Sequence, residues 1–157
     1  MKIAKDLLGL AAEYAVASEL CKRNIYAQLT LGPRKRTDIL VETKKSMLRI
    51  QVKGKQDKEW PGVKGIYGKD IVLVFVDFEG KKEDERPDFY ILTVEDWKKL
   101  LEKELVSTGK VERGEVKITE DYTPVWKDGY QGIGVKPEMI KEFKERWDKI
   151  REIVGEE

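Results

Sequence analysis

Between residues 4 and 23 (AKDLLGLAAEYAVASELCKR), apolar side chains recur at Leu7, Leu8, Ala11, Ala15, Val16 and Leu20. Steps of three and four gather them on one side of a helix, so the pattern predicts an amphipathic helix with Asn24 as its stop. The periodicity then changes. IYAQLTL (25–31) and DILVE (38–42) are short β-prone runs separated by the turn GPRKR, and MLRIQVK (47–53) follows after the polar link TKKS. These predict strands, the last two paired as a hairpin. GKQDKEWPGVKGIYGKD (54–70) shows neither period and reads as a loop rich in Gly and Lys. IVLVFVDF (71–78) is almost continuously apolar and β-branched, the pattern of a central strand covered on both faces.

A charged turn, GKKEDERP, precedes a further strand, DFYILT (88–93), and a helix, VEDWKKLLEKEL (94–105). Thr93 is placed to cap that helix, with Asp96 three residues on completing a capping box. Residues 106–136 are irregular, with room for a hairpin. Pro137 suits the first turn of a last helix over 137–154, whose stripe runs through Met139 or Ile140, Phe143, Trp147, Ile150 and Val154. No internal repeat or boundary divides the chain. The expectation is one domain over 1–157: an α/β fold with a mixed β-sheet flanked by helices.

Composition narrows the chemistry. The chain has 157 residues, 40% of them apolar and 39% charged, with a net charge of +1. A nucleic-acid surface must therefore come from local clustering rather than overall charge. Abundant Lys and Glu beside one Cys fit a thermophile composition. Histidine is absent and Cys21 stands alone, which excludes Ser-His and Cys-His catalysis, an internal disulfide and a zinc site. Any metal must be held by oxygen, which points to magnesium or manganese. The N-terminal apolar stretch carries an Asp and two Glu, unlike a signal peptide, and no run is long enough to span a membrane. A soluble, cytoplasmic protein is expected.

Residues of one strand alternate between faces, so Arg49, Gln51 and Lys53 share a face while Leu48, Ile50 and Val52 enter the core. Asp38 heads the neighbouring strand, and the hairpin brings it near Gln51 and Lys53. Glu13 lies mid-helix among small apolar residues, where a carboxylate is costly unless solvated or partnered. Phosphodiester hydrolysis needs a carboxylate for a divalent cation, a lysine beside the attacking water and basic residues on flanking phosphates. Arg34, Lys35, Arg36 and Lys55 are candidates for the last role, and Lys64 lies in a loop that reads equally as a DNA contact or plain surface. Trp60, Tyr67, Trp126 and Tyr130 could stack on bases or pack in the core. The D…Q-x-K spacing alone is also met by an Asp after a turn and a solvated lysine-bearing strand.

The run GLAAEYAVASELCKRN…PRKRTDILVETKKSMLRIQVKGK resembles the core of the PD-(D/E)XK nuclease superfamily, restriction-endonuclease-like in fold. Within it, the run is similar to archaeal Holliday junction resolvases and group I intron-encoded endonucleases. The resemblance implies an αβββαβ-type core in which Glu13, Asp38, Gln51 and Lys53 are the catalytic set. It implies a magnesium or manganese ion held by Asp38, Gln51, the Val52 carbonyl and Glu13. It further implies DNA as partner, metal-dependent endonuclease activity, and assembly as a homodimer or homotetramer. Gln51 departs from the Glu or Asp of most relatives: an amide oxygen ligates a hard cation but brings no charge. The alternative it leaves open is a catalytically weak or inactive nucleic-acid-binding module of the same fold.

Overall fold

The computed structural model describes residues 2–30 and 37–155. Helix α1 (Lys5–Lys22) leads into β1 (Ala27–Leu29), β2 (Ile39–Glu42) and β3 (Met47–Lys55). Next come β4 (Trp60–Val63), β5 (Ile71–Asp77), β6 (Asp88–Thr93) and α2 (Val94–Leu101). A hairpin of β7 (Val116–Ile118) and β8 (Pro124–Trp126), then β9 (Ile133–Val135) and α3 (Asp148–Val154), complete the order. The main sheet runs β1-β2-β3-β5-β6, with β3 and β5 parallel and the other neighbours antiparallel. This is the expected mixed α/β architecture, a central mixed sheet flanked by helices. The crossover between the parallel strands passes through β4, and α2 comes after β6.

Each face of the sheet has its own core. Under α1 lie Ile39, Val41, Leu48, Ile50 and Val52 with Val72, Val74 and Val76. The opposite face carries Leu73, Phe75, Tyr90 and Leu92 beneath α2 and the small β4–β9 sheet. β5 supplies apolar residues to both, which is why its sequence shows no alternation. On α1 the buried positions are Ala12, Glu13, Val16, Ala17, Glu19 and Leu20, while Leu7 and Leu10 are exposed. Of the expected stripe, Val16 and Leu20 are buried, Leu8, Ala11 and Ala15 are partly buried and Leu7 is exposed.

Three expectations change. β3 extends through Lys55 and β4 occupies 60–63, where a loop was expected. Trp60 and Val63 pair with Val135 and Ile133, so this strand depends on residues far along the chain. The capping box of Thr93 and Asp96 forms as expected, but α2 ends at Leu101 and continues as a π-helical turn over Glu102–Val106. The helix expected over 137–154 resolves into two 3-10 turns, Pro137–Met139 and Lys141–Phe143, followed by the shorter α3. The physical reason is that one helix buries one stripe, whereas this segment serves both cores. Ile140 and Phe143 join the α2 side, and Trp147 and Ile150 join the α1 side. Between them the chain crosses the edge of β6, where Glu145 N–H donates to the Phe89 carbonyl at 2.9 Å.

A polar clamp holds that crossing. Arg86 donates to both Glu19 on α1, at 2.7 Å, and Glu145. Trp147 Nε1 donates to Glu145 at 2.6 Å, and the Arg23 guanidinium lies 4.6 Å from the Trp147 ring. Burial pushes the Glu19 carboxyl up, but hydrogen bonds from Arg86, Lys22 and Arg23 outweigh it and bring the value from 4.5 down to about 2. Because the folded value is depressed, this contribution is present above about pH 4.5 and lost as pH falls toward 2. Arg86→Ala is expected to destabilise the protein by about 1–3 kcal/mol at neutral pH, discounted for the exposed arginine. Urea denaturation across pH should show the difference between wild type and variant shrinking between pH 4.5 and 2.

Candidate metal and nucleic-acid site

The site is built where β2 ends against β3. The β2–β3 pairing ends at Ile39 with Ile50, and Asp38 immediately precedes it. The backbone fastens this end: Asp38 N–H donates to the Ile50 carbonyl at 2.9 Å, and Thr30 N–H to the Asp38 carbonyl at 3.0 Å. The Asp38 side chain closes the arrangement, its Oδ2 accepting from Val52 N–H at 2.7 Å. A strand residue directs its N–H and C=O to the same side. The Val52 carbonyl therefore shares the side from which the Asp38 carboxylate approaches. Asp38 is thus fastened to Val52 of the Q-V-K run.

Gln51 and Lys53 lie on the sheet face away from α1, beside Leu73 and Phe75 of β5 in the parallel register. Lys53 is half-buried and has no hydrogen bond or ion pair among the described residues. Glu13, with 9% exposure, sits on α1 and so starts from the other face. Its neighbour Ala12 is the nearest contact of Gly54: a Cβ built on that glycine would stand 2.8 Å from the Ala12 Cβ and 3.4 Å from the Leu8 carbonyl. Gly54 lies past the point where β2 stops pairing. Helix α1 therefore packs closely on β3 at Gly54.

The donors available are two carboxylates, an amide oxygen and a backbone carbonyl. All are hard oxygen ligands, which suits magnesium or manganese and no thiophilic metal. Among the described residues no three His, Cys, Asp or Glu side chains converge as a metal cluster. The Val52 N–H bond orients the Asp38 carboxylate, as an outer partner does for a ligating group.

Of the expected phosphate contacts, Arg34, Lys35 and Arg36 lie outside the described residues. Lys55 is a correction. Its side chain is 2% exposed, and Nζ bonds Asp77 at 2.8 Å, Glu79 at 3.1 Å and the Asp57 carbonyl at 2.7 Å, beneath the Trp60 ring. A buried ammonium so engaged neutralises Asp77 and cannot also clamp a phosphate. Lys64 is exposed beside Gln51, on the rim of a cleft of about 580 Å³. Trp60 is core, edge-on to Phe75 at 4.8 Å with Nε1 bonded to the Val76 carbonyl. Trp126 is half-buried and donates to the Gly132 carbonyl at 2.7 Å, while Tyr67 and Tyr130 are exposed. Sequence reasoning missed the cleft, because its far wall is the β7–β8 hairpin, whose docking depends on non-local packing.

No family model and no curated protein matches the chain. Among solved structures it is similar to a bacterial homing endonuclease, I-Ssp6803I, at 18% identity and a TM-score of 0.50, covering 97% of this chain and 96% of that one. The likeness is one of fold, a nuclease-like α/β architecture. Among the described residues no helix is long and apolar enough to cross a membrane.

Four substitutions test how the site is supported. Gly54→Ala is expected to destabilise by about 1–3 kcal/mol through overpacking against α1, and Ala12→Gly should recover part of that in a double-mutant cycle. Lys55→Ala should cost about 3–5 kcal/mol in urea denaturation by stranding Asp77, while Lys53→Ala stays within about 1 kcal/mol.

Proposed function

We propose that this protein is a metal-dependent DNA endonuclease of the PD-(D/E)XK type, hydrolysing phosphodiester bonds and acting as a homodimer or homotetramer. The observation that carries the proposal is the Asp38–Val52 contact at 2.7 Å. It ties the acidic residue of one strand to the Q-V-K run of the next, beside a half-buried lysine with no ion-pair partner among the described residues. The fold shared with a homing endonuclease over nearly the whole chain supports the same reading.

In this reading Asp38, the Gln51 amide oxygen, the Val52 carbonyl and Glu13 hold magnesium or manganese, which supplies Lewis-acid polarisation of the phosphoryl group. The Lys53 ammonium orients the attacking water, helps remove its proton and offsets charge developing on the phosphate. Asp38 is kept aimed by the Val52 N–H. Lys64, Arg34, Lys35 and Arg36 neutralise flanking phosphates without reading sequence. The specific observation favouring a binding-only module is Gln51, which leaves the set one negative charge short of a three-carboxylate site.

Cleavage of plasmid, branched and single-stranded DNA in magnesium and in manganese distinguishes the two. Wild type is expected to cut, with Lys53→Ala slower by ~10²–10⁴-fold and Asp38→Ala inactive. Gln51→Glu should retain or raise activity and lower the magnesium requirement. DNA binding without cleavage by both wild type and Gln51→Glu would establish the binding module instead, and activity surviving Asp38→Ala would sink the assignment of the site.

A further inference from the structure

The cleft beside Gln51 has two walls and a floor, and all are fixed by packing. Its floor is the sheet face of β3 and β5, through Arg49, Gln51 and Ile71. One wall is the loop after β4, anchored by the buried Ile66 and by Gly65, whose φ of +86° and missing side chain let the Trp97 ring lie against its backbone. The other is the β7–β8 hairpin, tied down by the same residue: Trp97 Nε1 donates to the Tyr122 carbonyl at 2.8 Å. A single buried indole therefore holds both walls, and the cleft is pre-formed rather than dependent on a ligand to shape it.

Its volume, about 580 Å³, falls in the ~300–1,000 Å³ range of small-ligand sites. Its polar groups are of mixed kind. Arg49, braced by a bond to the Lys69 carbonyl at 2.9 Å, and Lys64 are cations, and Asp121 is an acceptor. Gln51 and Gln131 can each donate and accept, and Tyr67 offers a ring. Counting the charged side chains gives two positive and one negative, a net +1 that matches the single negative charge of one phosphodiester. Amide and carboxylate groups are what recognition of a base edge requires. A stacked base pair presents only its edges in a groove. A cleft walled on two sides takes a whole ring.

We infer that this cleft is a binding pocket for one unstacked nucleotide of the DNA chain, next to the bond that is cut, so that the preferred substrates carry a flap, bulge or junction rather than continuous duplex. The inference rests on the nuclease reading above, since Gln51 belongs to both sites. Tyr67 stacks on the base, Asp121 and Gln131 meet its hydrogen-bonding edge, and Arg49 with Lys64 receives its phosphate.

The test uses the full chain in EDTA, so that binding is read without cleavage. A duplex with a single-nucleotide bulge is compared with the same duplex lacking it, and 2-aminopurine placed at the bulge reports unstacking. Wild type is expected to bind the bulged duplex ~10-fold more tightly, with fluorescence rising on binding. Gln131→Ala and Asp121→Ala should each reduce that preference toward unity and quench the rise. Equal affinity for both duplexes with unchanged fluorescence overturns the pocket while leaving the endonuclease proposal standing. No binding to any DNA overturns both. Saturable binding of free deoxynucleoside monophosphate without a bulge preference assigns the cleft to a free nucleotide and also overturns the inference.

Discussion

β3 is hydrogen-bonded on both sides, antiparallel to β2 and parallel to β5, and its register with each decides which side chains can meet. Alternation along a paired strand allows no compromise, since a slip of one residue would exchange the two faces. With the register as it stands, Leu48, Ile50 and Val52 fill the core under α1 and Arg49, Gln51 and Lys53 turn the other way. The main-chain groups of Ile50 and Val52 face β2. That is why the Val52 N–H is available to Asp38. Gly54 belongs to the same constraint: only a residue without a side chain lets α1 come down where β2 has ended, carrying Glu13 with it.

Lys53 and Lys55 show how environment separates two identical residues on one face. Both project toward the α2 side of the sheet, two positions apart. The parallel register sets Lys55 against Asp77 and Lys53 against Phe75. Lys55 thus gains a carboxylate from the next strand, and Trp60 closes over the pair. Lys53 has a phenyl ring in the same place. No local signal in Q-V-K-G-K distinguishes them, because the deciding neighbour lies twenty-two residues later.

What was legible in the sequence was what adjacent residues decide. The β2–β3 hairpin, the Thr93–Asp96 cap and the unalternating strand β5 all arise within short windows, and all were expected. The bond between Asp38 and Val52 of the Q-V-K run follows the same local logic. The strand at Trp60 was not legible, since its partner at Val135 is remote. The last segment is more instructive. Its apolar spacing did identify residues that are buried, Ile140, Phe143, Trp147 and Ile150, but a helical period is blind to which core receives each of them. Passing round the edge of β6 required a break at Lys144 and Glu145, where Glu145 adopts φ of +58°.

The partly buried Lys53 bears on the choice between cutting and mere binding. Desolvating an ammonium is unfavourable, and the fold elsewhere takes care to compensate it, giving Lys55 three oxygen partners. A module that only gripped phosphates would be served as well by exposed lysines, which the surface has in plenty. Violations of local economy gather where function demands them. A half-buried lysine with no ion-pair partner among the described residues is such a violation. Under the endonuclease proposal, it would serve a phosphate and an attacking water. Gln51 weakens the electrostatic pull on a metal, yet it also removes a like charge from the path of the incoming phosphate. Under the endonuclease proposal, the loss would fall on metal affinity rather than on the placement of Lys53.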